Sequence, residues 1–445
     1  MKKTLLLGLF TALYANAMTL DETIDKALLH NNSLKKVTLE VEQSKENRTS
    51  KRAQNFGRVD FVASYDHYNN ARTLAPLTPM QIVGGSGTGA YEMATTKDMM
   101  STGITYNVIL FNGFAQQNSY KISDIMYKNS IIKSKLSKEE LIYNVRSLYL
   151  SILSLEEQLD AQKANTVSQK NLYEKIEASY KLGSKSKLDT LKSKNSYEVS
   201  LSNEQKIAAN INILKATLTM LIGGEEFDNA QQIDIALNES AENETQNIES
   251  LKRYEMYALK TKIAEKKYKT ADAAYYPIID FSAYYGYNFG PNDTTNTFPT
   301  TGETFIEKGD FNNENIWQVG LHLKWNIFDF GSKSAISQKE KLSLMSSQLD
   351  QEDMKLELQK NLTVAKDKLA LAKAEYNSAL SQHELLSEIV KVESLKYESD
   401  AVTLSDLLDS KAKEKLAYAK MISSKYEFQK AKYYIDYLLE RGEKK

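Results

Sequence analysis

The sequence predicts an α+β membrane protein made of two internal structural repeats, each chain giving four strands to a closed β-barrel that long coiled-coil helices continue. Three observations predict this: segments recur at an offset of 217 residues, two long stretches lack both glycine and proline, and four short stretches alternate apolar with polar residues.

The repeat is the broadest of the three. Gly103-Ile104-Thr105 leading to Leu110-Phe111-Asn112-Gly113-Phe114 returns as Gly320-Leu321-His322 leading to Ile327-Phe328-Asp329-Phe330-Gly331. Tyr180, Leu188, Asp189 and Leu191 fall on Tyr397, Ser405, Asp406 and Leu408 at the same offset. A repeat of this size means two similar units built from one chain.

The chain opens with Met1-Lys2-Lys3, a short apolar stretch from Leu5 to Leu13, and Ala15-Asn16-Ala17. This is the pattern of a secretory signal over 1–17, and the stretch is too short to cross ~30 Å of hydrocarbon. Cysteine is absent, so an exported chain has neither a disulfide nor a lipid-accepting thiol. Basic and acidic residues number 57 and 58, a balance that gives no electrostatic reason to expect nucleic acid as a partner. After the signal there is no run of 18 apolar residues, which argues against a helical membrane span but not against a β-barrel.

Glycine is missing between Gly113 and Gly183 and between Gly331 and Gly442, and all five prolines lie elsewhere. Without these breakers helices of unusual length are permitted. Phe114 to Lys181 is 68 residues, which as one helix would reach ~100 Å. Leu141, Val145, Leu148, Ile152, Leu155 and Leu159 step by four and three, as do Leu362, Ala365, Leu369, Ala372, Tyr376, Ala379, His383, Leu386 and Val390. That seven-residue period is the coiled-coil pattern, and the returning helices carry it at Ile207, Ile211, Leu214, Leu218 and Leu221. His383 lies on the stripe and reads as a packing residue.

Trp317, Val319, Leu321, Leu323, Trp325 and Ile327 alternate with polar residues and glycine, and Ile104, Tyr106, Val108 and Leu110 do the same. Val59-Phe61-Ala63-Tyr65 and Ile279-Phe281-Ala283-Tyr285-Tyr287, at every second position, precede them, so the four read as two hairpins. Aromatic residues bracket the strands as membrane girdles do, with Trp317, Trp325 and Tyr106 in that role. Four strands cannot close a barrel, whereas three chains supply twelve.

Strand, loop, strand, Phe-Asn/Asp corner, long helix, Tyr-led tip and returning helix, duplicated after a signal peptide, resemble the TolC family of outer-membrane efflux proteins. The resemblance spans the mature chain, and its most specific pieces are Trp325 through Gly331, Tyr180-Lys181-Leu182-Gly183, and Tyr397 through Asp409. It implies a homotrimer with a 12-stranded barrel in the outer membrane, in contact with its lipid, and a helical barrel reaching into the periplasm. It also implies a non-enzymatic exit duct of a tripartite efflux or type I secretion system, fed by an inner-membrane transporter through a periplasmic adaptor. No cofactor or metal is expected.

By resemblance, the periplasmic gate takes Tyr397, Asp189 as its first-repeat acceptor, and Asp406 and Asp409 as two rings of carboxylates. Leu182, Gly183, Ser184, Asp400, Ala401 and Val402 become the tips that meet the adaptor. Thr403 with Asp406 and Ser186 with Asp189 also have the spacing of an acidic capping box, which accounts for both aspartates without a pore and leaves Asp409 unexplained. Val402 stands where the family has an arginine and Asp400 where it has a tip glycine. The first tip is basic (Lys181, Lys185, Lys187, Lys192, Lys194) and the second acidic (Glu398, Asp400, Asp406, Asp409), so opposite charge is expected to hold the closed end.

The expected layout is a first repeat over 18–222, with strands about 58–69 and 100–112 and helices about 114–181 and 186–221. An equatorial linker over 223–250 leads to a second repeat over 251–440, with strands about 278–289 and 315–328, helices about 331–397 and 403–440, and a tail to 445. The alternative is a periplasmic coiled-coil adaptor or scaffold without a channel, which shares the helices but not the duplicated hairpins. An enzyme fits poorly, since His30, His67, His322 and His383 are dispersed and there is no glycine-rich phosphate loop.

Overall fold

A computed structural model of the chain describes residues 17–74, 95–233, 235, 247–297, 304–399 and 401–442. Residues 1–16 of the expected signal, much of both hairpin loops, the middle of the linker, Asp400 and the last three residues lie outside the described residues. In chain order the elements are β1 (Ala17–Met18), α1 (Leu20–His30), α2 (Asn32–Ala53), β2 (Arg58–Thr73), β3 (Thr95–Phe111), α3 (Ala115–Lys181) and α4 (Lys187–Leu221). They continue with β4 (Asn229–Ala230), α5 (Lys252–Asp272), β5 (Ile278–Thr297), β6 (Thr304–Lys324), α6 (Ser332–Glu398) and α7 (Leu404–Leu438). Each long helix has 67 residues and each returning helix 35, and both pairs start at an offset of 217. Among the described residues no helix is long and apolar enough to cross a membrane.

The chain divides into two compact units that are not the two repeats, because each takes pieces of both. One comprises 42–128 and 259–349, the other 1–41, 129–258 and 350–445.

The first of these holds the sheet. The hairpins β2–β3 and β5–β6 are joined by antiparallel pairing of β3 with β5, giving one four-stranded sheet in the order β2-β3-β5-β6. Register places Phe61, Ile104, Tyr285 and Trp317 in one row, Val59, Tyr106, Ala283 and Val319 in the next, and Val108, Phe281 and Leu321 beyond. This face is open: Phe61 is 74% exposed, Trp317 72% and Leu321 69%. The other face carries Asp60, Thr105, Tyr284 and Gln318 in a row, with the Tyr284 ring lying over Gly103 and Gly286.

The strands run further toward the hairpin loops than the expected ranges, because the Asn- and Thr-rich residues beyond the apolar alternation still pair. The last strand ends at Lys324 instead of near residue 328. Trp325 leaves the ladder there and donates its indole N–H to the Tyr275 carbonyl at 3.1 Å, while Phe328 and Phe330 pack edge to face at 4.7 Å. In the first repeat the Tyr106 hydroxyl donates to the Phe56 carbonyl at 2.9 Å. Phe56 and Tyr275 each close a 3-10 turn before a strand, so Tyr106 and Trp325 are structural counterparts 219 residues apart.

Both corners use the same device. Gly113 and Phe114 take φ of 63° and 66°, and Phe330 and Gly331 take 56° and 93°, two successive left-handed residues with the glycine and phenylalanine exchanged. Asn112 accepts from the Gln116 N–H at 3.2 Å and Asp329 from the Lys333 N–H at 2.9 Å, so each long helix starts on a side-chain cap.

The second unit is built on α3. Leu141, Val145, Tyr149, Ile152 and Leu153 are buried against Ile24 and Ala27 of α1, Leu218 of α4 and Ile422 and Tyr426 of α7. The Tyr149 hydroxyl reaches the carbonyls of Met18 and Gln231 at 2.7 and 2.9 Å, pinning the two-residue parallel pairing of β1 with β4, and burial pushes it up to about 12. At the far end of α7, Glu440 takes a left-handed φ of 56°, matching Gly223 at 88° in the first repeat. Its carboxylate accepts from the N–H groups of Lys252 and Arg253 at 2.7 and 2.9 Å, and Arg253 returns two bonds to the carbonyls of Tyr437 and Leu438. A negative charge on helix N–H groups and a positive one on helix carbonyls are both the stabilising sense.

A Cβ at Gly113 would meet the Ala273 carbonyl at 2.7 Å, whereas nothing lies within 4 Å of one at Gly331. Gly331→Ala is expected to cost about 1–2 kcal/mol, the left-handed term alone, and Gly113→Ala clearly more. Denaturation of the purified protein in detergent, followed by circular dichroism, checks the order, and equal losses would refute the role of the Ala273 contact.

Candidate functional site

Two tips, 182–186 and 399–403, reverse the chain between the long and returning helices. In the first, Gly183 takes φ 78°, and Gly183 N–H and Ser184 N–H donate to the carbonyls of Tyr180 and Ser179, both at 2.9 Å. This is a glycine-terminated helix end that satisfies the last carbonyls. The second tip repeats the longer bond, with Ala401 N–H on the Lys396 carbonyl at 2.9 Å. Leu182 is 86% exposed, Gly183 has open space around it, Ala401 is exposed and Val402 half-buried. Asp400 lies outside the described residues.

Both acidic capping boxes are present. Asp406 accepts from the Thr403 N–H and hydroxyl at 3.1 and 2.6 Å, and its own N–H donates to that hydroxyl at 3.2 Å. Asp189 does the same with Ser186, at 3.3, 2.9 and 3.1 Å. The Thr403 hydroxyl first, and its N–H second, hold the Asp406 carboxyl below the usual carboxylate range, with Lys192 on α4 adding to the effect. Asp409 lies one turn on, on the same face of α7, and pairs with Lys413 at 2.6 Å.

The ring of Tyr397, in the last turn of α6, carries the Lys185 ammonium 5.1 Å from its centroid, while Asp189 is taken up by its own capping box. Two first-tip lysines thus act on the second tip: Lys185 on Tyr397 and Lys192 on Asp406. The basic and acidic compositions of the tips signal the attraction in sequence, but not that one partner is an aromatic face.

Behind the tips the two helix pairs are zipped differently. Between α3 and α4 the buried Ser200 hydroxyl meets Gln162, Asn165 and Thr166 at 2.8, 3.0 and 3.1 Å. At an offset of 217, Gln162 and Ser200 become Ala379 and Ala417, 3% and 5% exposed. His383, in the position of Thr166, packs on Tyr418 and places Nε2 3.3 Å from Glu414 Oε1, so the residue read as packing is half-buried and also meets a carboxylate. Sequence reading missed this pair and two on the sheet, His67 with Asp98 at 2.6 Å and His322 with Asp280 at 3.2 Å. The last was discoverable, because both residues fall on the polar phase of neighbouring alternating stretches. The girdle residues Trp317, Trp325 and Tyr106 all lie on or beside the sheet, the last two tied to backbone as described.

Among the described residues no group of three or more His, Cys, Asp or Glu is placed to hold a metal ion. Removing the Thr403 hydroxyl should cost about 1 kcal/mol at the start of α7 and return Asp406 toward the ordinary range. Because the folded value is lowered, this interaction is fully present above the ordinary carboxylate range and is lost as pH falls through the lowered value. Amide exchange in the first turn of α7 should stay protected to lower pH in the wild type than in Thr403→Ala, and identical profiles would refute the assignment.

The family model for outer membrane efflux proteins matches residues 23–224 and 255–438. A membrane protein from Pseudomonas aeruginosa shares the fold with a TM-score of 0.77 at 16% identity, over 96% of this chain and 92% of its own. The Campylobacter jejuni CmeC outer membrane channel gives 0.77 at 15%, over 95% and 86%. The open state of the Neisseria gonorrhoeae MtrE outer membrane channel gives 0.70 at 15%, over 95% and 88%. By sequence, no curated protein matches the chain.

Proposed function

The chain belongs to the outer membrane efflux protein family, the TolC family of its motifs, and from that membership we propose that three copies form the exit duct of a tripartite efflux or type I secretion system. The protein is an outer-membrane conduit and not an enzyme. Substrate would come from an inner-membrane transporter through a periplasmic adaptor. The observation that carries the reading is the sheet: one face is a continuous exposed apolar surface, and β2 and β6 each have an edge without a neighbour among the described residues. Lipid accepts such a face but not such edges, and β2 of one copy on β6 of the next closes twelve strands.

The tips supply the gate in this reading. Asp406 and Asp409, three residues apart on one helix face, form two rings of three carboxylates that favour cations. Lys185 on Tyr397 and Lys192 near Asp406 hold the second tip to the first where Val402 leaves no arginine to do so. An exposed cation–π contact contributes about 0.5–1 kcal/mol, small alone but present once per chain. Leu182, Gly183, Ser184, Asp400, Ala401 and Val402 form the surface offered to the adaptor.

Conductance of detergent-extracted protein in planar bilayers tests each part. The expected result is a trimer with small, cation-selective openings. Asp406→Asn with Asp409→Asn, which keeps an acceptor in the capping box, should lower the cation preference at fixed pH, and an undiminished preference would sink the carboxylate rings. Lys185→Glu should raise closed-state conductance, more so at low salt where charge is poorly screened; an unchanged trace would rule out the Lys185–Tyr397 contact as a latch. A soluble, non-conducting species would return the chain to the scaffold alternative.

A further inference from the structure

On the polar face of the sheet, the His322 imidazole leans along β6 over Gly320, where an added Cβ would stand 3.0 Å from its Cε1. Its Nδ1 lies 3.2 Å from Asp280 Oδ2 on β5 and 3.5 Å from Ser282 Oγ, and both the imidazole and the carboxylate stay open to solvent. A glycine makes room for the ring and an aspartate on the paired strand orients it. We propose that His322, seated on Asp280, is a specificity-determining residue of the duct, setting the ion preference of the barrel lumen according to pH. This rests on the reading of the sheet as a barrel wall, whose apolar face meets lipid and whose polar face lines the passage.

The charges around it make the response large. Over the regular ladder, the polar face of β6 carries Glu314 and Lys324 beside His322, β5 carries Asp280 with the Tyr284 phenol, and β3 has no charged side chain on that face, its Asp98 lying on the other with His67. On β2 the same face carries Arg58, Asp60 and Asp66, with Arg58 and Asp60 paired at 2.7 Å. The open edge of β6 would receive those β2 residues from a second copy. Four carboxylates against Arg58 and Lys324 leave two negative charges per chain with the imidazole neutral, and its protonation halves that excess. Histidine is the side chain that changes charge within about pH 5–8. The lumen then prefers cations at the alkaline end and loses much of that preference at the acid end.

The test measures reversal potentials across a salt gradient in planar bilayers, using the trimer with Asp406→Asn and Asp409→Asn so that the tips do not mask the lumen. Dilute salt, roughly 0.01 M on the low side, keeps the screening length near 30 Å. The cation-to-anion permeability ratio should fall about twofold or more between pH 8 and pH 5, and His322→Gln should remove most of that fall. Asp280→Asn keeps the imidazole but removes one of the four carboxylates, so the cation preference at pH 8 should fall. A pore whose His322→Gln form keeps the full pH response overturns this assignment alone. A preparation that conducts at no pH overturns the duct reading and this one with it.

Discussion

A backbone N–H or C=O facing hydrocarbon has no water to bond, and the whole protein is arranged around that constraint. Its four-stranded sheet pairs β3 with β5 across the two repeats, so the interior of the sheet is satisfied within one chain. What remains are the edges β2 and β6, each bordered by an apolar face that water does not stabilise. In the proposed duct, lipid on the face and a second copy on each edge would answer both needs together. Tyr106 on the apolar face and Trp325 just past its ladder each spend their polar atom on the backbone carbonyl of a residue that precedes a hairpin.

The corner converts a two-residue period into a helical one, and the backbone there tolerates little variation. Two consecutive left-handed residues are needed, and each repeat uses one glycine and one phenylalanine for them in opposite order. A bulky residue in that region is disfavoured. Its presence at Phe114 and Phe330, 61% and 91% exposed, is consistent with a place at the membrane boundary, where an exposed aromatic ring is stabilised by its surroundings. Beyond the corner the repeats diverge in the seam that zips each helix pair. The first uses a hydroxyl hub at Ser200, which fixes register through directional bonds, and the second uses alanines with His383 on Glu414.

Much of this was legible in the sequence because the signals are periodic. Alternation at Trp317 through Leu323 gave the exposed face, and the spacing of Thr403 to Asp406 and Ser186 to Asp189 gave the capping boxes, since both patterns are local. The pairing of β3 with β5 was not legible, because contact between residues 168 to 189 apart leaves no local mark. Helices α1, α2 and α5 were passed over: α2 and α5 carry almost no segregation of apolar residues to one side, and α1 is a single short element. The early end of β6 was hidden because Trp325 and Ile327 continue the alternation after the ladder has stopped. Alternation reports which residues are apolar, not which backbone groups are paired.

The division of charge between the tips and the sheet follows from how each group is held. Asp406 sits in a capping box whose hydroxyl and N–H favour the ionised form, so its carboxylate stays charged through the whole range in which an imidazole titrates. The same two bonds that start α7 therefore fix the sign of the tip across that range. His322 stands on an open strand with the Asp280 carboxylate beside it. A conduit with both groups has one charge that is constant and one that responds to its surroundings. Any pH dependence of ion preference near neutrality must then come from a group other than Asp406, and on the polar face of the regular ladder His322 is the side chain chemically suited to supply it.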